Sequence, residues 1–347
     1  MEAGCRVRTS PEVRLTFVRV FLLPSWTLLA GVALFFLVGV EVEGWVRYAP
    51  FALSLVFFGL PHGAVDHLVP GRLSDGGVPA GSITRVVILY LALGALYLGL
   101  WFAAPTLSFV FFIALTWFHW GQGDLYFLAA LERGANSVPR ALKGLTAFVR
   151  GGMPMLVPLL VFPEVYRGIA GSVVGLFRND VAGLAWVFSP TFRGAAGAGF
   201  FLAVLANLYW RYRVSGRRYR LAWWLEVAET TLLAAYFATV PPVLALGLYF
   251  CLWHSPRHVA RLMLLERGSA GALEKGRIAG AFAAFARDAA PLTVAALALL
   301  VGLYFLVPAG VEGATGLLAV YLVLISTLTL PHVVVVSLMD LRQGIWR

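Results

Sequence analysis

The sequence predicts an all-α integral membrane protein, a polytopic helical bundle of about ten transmembrane helices with a range of eight to ten. Of its 347 residues, 60% are hydrophobic and 13% are charged, against roughly 45–50% and 25% in an ordinary soluble domain. The mean hydropathy is +0.84, and long apolar runs recur through the chain. This composition excludes a soluble enzyme and a disordered chain, and two cysteines are too few for a disulfide framework or a zinc ribbon.

Each predicted span is a run of roughly 20 mostly apolar residues, enough to cross the hydrocarbon core of a bilayer. The runs are 20–41, 48–69, 86–104, 106–131, 145–163, 194–211, 221–240, 242–264, 290–307 and 313–339. The first is too long for the apolar part of a signal peptide and lacks a small-residue cleavage site, so we expect it to remain as a helix. Residues 1–347 therefore form a single membrane domain.

Three segments lie outside the predicted spans. Residues 1–19 are a basic N-terminal segment, expected on the cytoplasmic side. Residues 164–193 carry Arg167, Arg178 and Asp180 between shorter apolar runs, which favours an interfacial or re-entrant connection. Residues 265–289 are expected to be an amphipathic connection on the cytoplasmic surface.

The basic residues predict the orientation. Lys and Arg number 27 against 17 Asp and Glu, and ten spans place most of them, Arg257 and Arg261 included, on the side of the N-terminus. Cytoplasmic loops are enriched in Lys and Arg, so both termini are predicted to be cytoplasmic, in a multi-pass protein of the cell membrane. The net charge of +10 is then a topological signal, and no nucleic-acid partner is expected.

All six histidines fall inside predicted spans, where an ionisable side chain is costly and marks a candidate functional site. His62, His119, His254 and His258 lie about 12 to 16 residues into spans that run in the same direction, within roughly 6 Å of one depth. His67 and His332 lie about 19 residues in, closer to the cytoplasm.

The four histidines of similar depth are the predicted metal ligands. His254 and His258 are spaced i, i+4, which puts both rings on one helical face, and Pro256 between them is expected to kink the helix. Imidazole ligands suit iron, zinc or copper, so ligand type alone leaves the metal open. Polar residues nearby are expected to support the ligands through hydrogen bonds to the rings: His67, His332, Asp66, Asp124, Glu226 and Glu229. The alternative for Glu226 and Glu229 is ion pairing with Arg150, which lies within a span.

Four motifs in this order resemble the Brp/Blh family of membrane β-carotene 15,15′-dioxygenases: GLPHGAVDH at 59–67, WFHWGQGD at 117–124, WHSPRH at 253–258 and LPH at 330–332. The resemblance implies an all-helical enzyme that uses O2 to cleave β-carotene at the central 15,15′ double bond, giving two all-trans-retinal molecules. It also implies an Fe(II) cofactor held by His62, His119, His254 and His258, with no catalytic residue beyond the metal centre. The retinal is implied to pass to a rhodopsin.

A pure hydrocarbon substrate offers no polar handle, so its position must be set by the length and walls of a tunnel that opens to the lipid. Aromatic residues that flank the predicted ligands are the candidate walls: Phe112, Trp117, Phe118, Trp120, Phe250 and Trp253.

Two alternative functions fit the sequence less well. A di-iron lipid desaturase or hydroxylase needs more histidines, in HxxxH and HxxHH boxes, whereas this chain has six histidines and one HxxxH. A histidine-lined metal transporter would place its histidines along a path rather than in one layer, and the sequence shows no inverted repeat. A retinal-binding rhodopsin is excluded because both lysines, Lys143 and Lys275, fall outside the spans.

Overall fold

The computed structural model describes residues 9–42, 44–74, 77–131, 138–177, 182–215 and 220–346. Regular structure in these ranges is helical throughout, with no strand. Residues 1–8 of the predicted basic segment, and Arg178 and Asp180 of the predicted connection, lie outside the described residues.

The principal helices are numbered here along the chain. They are α1 Pro11–Leu37, α2 Ala49–Arg72, α3 Ala80–Ala103, α4 Pro105–Leu131, α5 Arg140–Val161, α6 Pro163–Gly175, α7 Pro190–Ser215, α8 Arg220–Thr239, α9 242–265, α10 Arg267–Glu274, α11 Ile278–Leu306 and α12 Gly313–Gln343. A short 3-10 helix, Ala182–Phe188, lies between α6 and α7.

Among the described residues, seven helices are long and apolar enough to cross a membrane: α1, α2, α3, α5, α7, α11 and α12. This confirms the predicted class, a helical membrane bundle. Helices α4, α8 and α9 lie where the sequence predicts spans, but they are less apolar because they carry most of the histidines and carboxylates of the candidate site.

Helices α1 and α11 begin nine and twelve residues earlier than hydropathy predicts. Helix α1 begins at Pro11, where the side chain of Ser10 accepts a hydrogen bond from the Val13 amide at 3.3 Å, an N-terminal cap that fixes the first turn. Helix α11 begins at Ile278, directly after Gly276 ends the preceding turn with φ of +67°. The stretch 265–289 is therefore divided between α10 and the first turns of α11.

Helices α2 and α9 are irregular beside their histidines. Helix α2 breaks at Phe58, where φ is −135°, resumes at Gly59, passes through a 3-10 turn at Asp66–Leu68 and ends at Arg72. Helix α9 widens into a π-helical turn at Phe250–His254, immediately before Pro256. Such π-turns commonly occur at functional sites, and here the widened turn carries His254.

Helices α4 and α5 touch through glycine. A Cβ on Gly121 would lie 1.9 Å from the carbonyl oxygen of Ala147, and one on Gly151 would lie 1.8 Å from that of Trp117. Both separations are impossible for a larger residue, so the two backbones approach as closely as helices can. This contact brings Arg150 on α5 beside Asp124 on α4.

Candidate metal centre

Five of the six histidines lie in one buried cluster contributed by α2, α4, α9 and α12: His62, His119, His254, His258 and His332. Candidate ligand atoms of His62, His119 and His254 lie within 4.8 Å of one another. Those of Asp66, His258 and His332 meet the same condition. The rings interleave across these two groups, since the centroids of His62 and His258 are 5.5 Å apart and those of His119 and His332 are 4.7 Å apart.

Two of the rings have a fixed tautomer. Nδ1 of His62 contacts the carbonyl oxygens of Phe58, at 3.2 Å, and Gly59. Because a carbonyl oxygen only accepts, Nδ1 must carry the proton, and Nε2 keeps its lone pair. Nδ1 of His332 donates to Asp66 Oδ2 at 2.7 Å, which leaves its Nε2 in the same state. Carboxylate and carbonyl partners of this kind orient histidine ligands in metal sites.

Several ring nitrogens have no hydrogen-bond partner in the described part of the chain. They include Nε2 of His254, Nε2 of His332 and both nitrogens of His258. A buried polar atom left without a partner costs roughly 1–3 kcal/mol. Four such nitrogens in one cluster fit a site whose remaining partner is a cation, so the donor set suits a metal.

His67 stands apart from the cluster. Its ring is half-buried, and its Nδ1 donates to the carbonyl oxygen of Ala64 at 3.0 Å. The sequence grouped His67 with His332 by depth. In the 3-10 turn at Asp66–Leu68, however, the side chains of Asp66 and His67 point in different directions. Asp66 joins the cluster and His67 does not.

The other predicted supporting carboxylates pair with arginines rather than with ring nitrogens. Glu226 accepts two hydrogen bonds from Arg150, at 3.1 and 3.0 Å. Glu229 lies 2.9 Å from Arg150 and 2.5 Å from Arg257, and Asp124 lies 3.1 Å from Arg257. The expectation that these three carboxylates orient histidines is therefore replaced by a fully buried ion network, which is the alternative stated for Glu226 and Glu229.

Arg257 ties this network to the metal-binding helix, because it lies between His254 and His258 on α9. Its guanidinium stacks 3.7 Å from the Trp253 ring centroid and 4.4 Å from that of Phe127. The sequence assigned Arg257 and Arg261 to the cytoplasmic side, but both are buried, and Arg261 pairs with Asp340 at 2.7 Å. The available signal was their i, i+4 spacing within a predicted span, beside two histidines.

Tyr90 is a second residue that the sequence did not single out. Its hydroxyl donates to Asp66 Oδ2 at 2.5 Å, the same oxygen that accepts from His332. Tyr90 comes from α3, whose apolar pattern carries no mark of the site. Only the packing of α3 against α2, which brings Tyr90 to Asp66, identifies it.

A cavity of about 330 Å³ adjoins the cluster and is lined almost entirely by apolar side chains. Of the six candidate wall residues, Phe112, Trp120 and Phe250 line it. Two of them flank the histidines, with the Trp120 ring 5.5 Å from His254 and the Phe250 ring 5.5 Å from His62.

The remaining predicted wall residues, Trp117, Phe118 and Trp253, do not line this cavity. Phe118 is 43% exposed on the outside of the bundle, Trp117 donates to the carbonyl oxygen of Phe148, and Trp253 donates to Asp124. The reason is helical periodicity: positions 109, 112, 113, 116, 119 and 120 of α4 share the cavity face, as do 246, 250 and 254 of α9.

The cavity has an apolar mouth between α3 and α11. The lining residues there are exposed on the outer surface of the bundle: Val87, Leu91, Leu292, Ala295 and Leu299. Leu91 is 68% exposed and Leu299 is 58% exposed. At the other end the cavity reaches α6, at Tyr166 and Ile169.

Comparison with known proteins identifies the relatives of this chain. The family model described as "Beta-carotene 15,15'-dioxygenase" matches residues 53–340. The protein named "Probable beta-carotene 15,15'-dioxygenase Blh" of Halobacterium salinarum is 43% identical over 337 residues, 96% of each chain. "Probable beta-carotene 15,15'-dioxygenase Brp" of the same organism is 31% identical over 96% of this chain and 94% of its own length. A "Beta-carotene 15,15'-dioxygenase" of an uncultured marine bacterium is 24% identical over 60% of this chain and 66% of its own length. No solved structure matches the chain.

Proposed function

The chain belongs to the β-carotene 15,15′-dioxygenase family, and we propose that it cleaves β-carotene with O2 at the central 15,15′ double bond, giving two molecules of all-trans-retinal. The observation that carries the proposal is the adjacency of a buried histidine cluster and an apolar cavity long enough to reach from α6 to the mouth between α3 and α11.

His62, His119, His254 and His258 would hold the metal, which we propose to be Fe(II). Unpartnered ring nitrogens on His254 and His258, and the free Nε2 of His62, support this assignment. When bound, ferrous iron supplies the one-electron chemistry that lets O2 react with an alkene. The imidazoles must be neutral to act as ligands, and their burial away from water protects that state.

The reaction cleaves one C=C bond and places one oxygen atom of O2 on each carbon, so no net proton is consumed. The protein's own residues therefore have to bind the polyene, orient it and exclude water. Trp120 and Phe250 flank both the cavity and the histidines, and they would press the central double bond against the metal side of the cavity. The two arms of the substrate would extend toward α6 and toward the mouth.

The mouth supports delivery of substrate from the lipid bilayer. Its exposed lining is wholly aliphatic, and a large exposed apolar opening is typical of a surface that contacts membrane or an apolar ligand. We therefore propose that β-carotene enters sideways from the hydrocarbon core of the cell membrane. Retinal, which is also apolar, would leave by the same route and be available to a rhodopsin.

Expression in a β-carotene-producing bacterium tests the reaction and its regiochemistry together. The expected result is loss of yellow colour and the appearance of retinal on chromatography. The His254→Ala variant, with its membrane insertion verified by blotting, is expected to leave β-carotene intact. Apocarotenals of unequal length would contradict central cleavage, and normal retinal formation by His254→Ala would contradict the ligand assignment.

A further inference from the structure

We infer that His332 is a fifth imidazole ligand of the metal, held in place by Asp66 and, through Asp66, by Tyr90. This inference rests on the proposed function, which assigns four ligands to His62, His119, His254 and His258. It adds a residue of the last helix, α12, which the sequence placed closer to the cytoplasm than the four predicted ligands.

The ring of His332 packs against three of the other four histidine rings of the cluster. Its centroid lies 4.7 Å from His119, 5.0 Å from His62 and 5.0 Å from His258. With a metal–nitrogen bond of about 2.1 Å, ligand rings at right angles around one ion have centroids about 4.6 Å apart. For comparison, the His119 centroid lies 4.9 Å from that of His254 and 6.3 Å from that of His258. The three separations of His332 are therefore close to those expected of rings that share one ion.

The hydrogen bonds of His332 prepare it as a ligand. Nδ1 donates to Asp66 Oδ2 at 2.7 Å, so Nε2 carries the lone pair, and this Nε2 is buried without a hydrogen-bond partner among the described residues. The aspartate is held in turn by the Tyr90 hydroxyl at 2.5 Å. A carboxylate behind a ligating imidazole fixes the ring and raises its basicity.

The neighbouring backbone leaves room for this ring. A Cβ on Gly63 would lie 3.5 Å from Nδ1 of His332, so the turn after His62 lies directly against the His332 ring. The helix α2 that supplies His62 thus also supplies the floor for His332 and, through Asp66, its hydrogen-bond acceptor. The eight residues 59–66 therefore position two rings, those of His62 and His332, which are far apart in the sequence.

The test compares His332→Ala with His67→Ala, which removes the one histidine that lies outside the cluster. Purified protein in detergent is titrated with Fe(II) under anaerobic conditions, and X-ray absorption counts the imidazoles around the iron. We expect His332→Ala to weaken iron binding more than Asp66→Ala, for which a loss of about 10–100-fold is typical of an outer partner. The imidazole count should fall by one in His332→Ala, and His67→Ala should bind iron as the unmodified chain does.

A cavity variant separates ligation from a structural role. In His332→Gly, added imidazole should restore both iron affinity and the imidazole count, whereas in Tyr90→Phe added imidazole should have no effect. An unchanged count and affinity in a folded His332→Ala protein would overturn the inference, and so would two irons per chain in the unmodified protein. Failure of the unmodified protein to bind iron or to form retinal would instead refute the proposed function.

Discussion

The buried ion network predicts a large loss of stability when Arg257 is removed. Arg257→Ala deletes the pairs to Asp124, at 3.1 Å, and Glu229, at 2.5 Å. Arg150 would then face both of these carboxylates and Glu226 alone, at 3.8, 2.9 and 3.0 Å. Breaking a buried ion pair by removing one partner costs about 3–5 kcal/mol, because the other charge stays buried.

That cost corresponds to a fall in melting temperature of about 6–10 °C, at roughly 2 °C for each kcal/mol in a protein of this size. The assay is thermal unfolding of the purified protein in detergent, followed by tryptophan fluorescence. Arg167→Ala is the matched control, because Arg167 pairs with Glu164 on the exposed surface at 3.1 Å. Exposed pairs contribute about 0–1 kcal/mol, so the control should melt within about 2 °C of the unmodified chain.

The double variant Arg257→Ala with Asp124→Asn distinguishes charge imbalance from lost packing. The amide is nearly the same shape as the carboxylate but carries no charge, so it should recover about 1–2 kcal/mol of the loss. If the single variant melts with the control, or if Asp124→Asn lowers its stability further, the charges are not coupled as the geometry indicates.

Three further predictions concern the metal, the mouth and a helix cap. Chelation of the purified protein should abolish retinal formation, and Fe(II) but not Zn(II) should restore it, as measured by chromatography; recovery with Zn(II) would contradict redox chemistry at the metal. Leu299→Trp should narrow the mouth and lower kcat/KM for β-carotene roughly tenfold, or about 1.4 kcal/mol, mainly by raising KM. Val301 is 60% exposed on the same helix but does not line the cavity, so Val301→Trp should leave kcat/KM unchanged. Burial raises the pKa of Glu266, but hydrogen bonds from Ser269 and Gly268 outweigh this effect and hold the pKa below 4.5. The Glu266 cap therefore stabilises α10 above that pH, and the stabilisation is lost as the pH falls. Glu266→Ala should lower the free energy of unfolding by about 0.5–1 kcal/mol at pH 7 and leave it unchanged in strong acid, as measured by the pH dependence of unfolding.

Hydropathy predicted the class of the protein and the position of each membrane helix, since the apolar runs appear as helices at the same places. Helix ends were less predictable. The Ser10 cap and the turn at Gly276 extend α1 and α11 beyond their apolar runs, because local hydrogen bonds and not hydropathy decide where a helix begins.

Depth along a helix failed as a measure of position for His332. Helix α12 has 31 residues, about 46 Å at 1.5 Å per residue, which exceeds the roughly 30 Å core of a bilayer. Counting from its first residue therefore overestimates the depth of His332.

The sequence by itself determined that this is a helical membrane protein, that its histidines lie within the bundle and that His254 and His258 share a face, because composition and helical spacing are local properties. Only the tertiary structure decided that His332 joins the cluster and His67 does not, that Arg257 is buried against Asp124 and Glu229, and which face of α4 lines the cavity. Those outcomes depend on the rotation and height of each helix relative to its neighbours, which close contacts such as those at Gly121 and Gly151 fix in three dimensions.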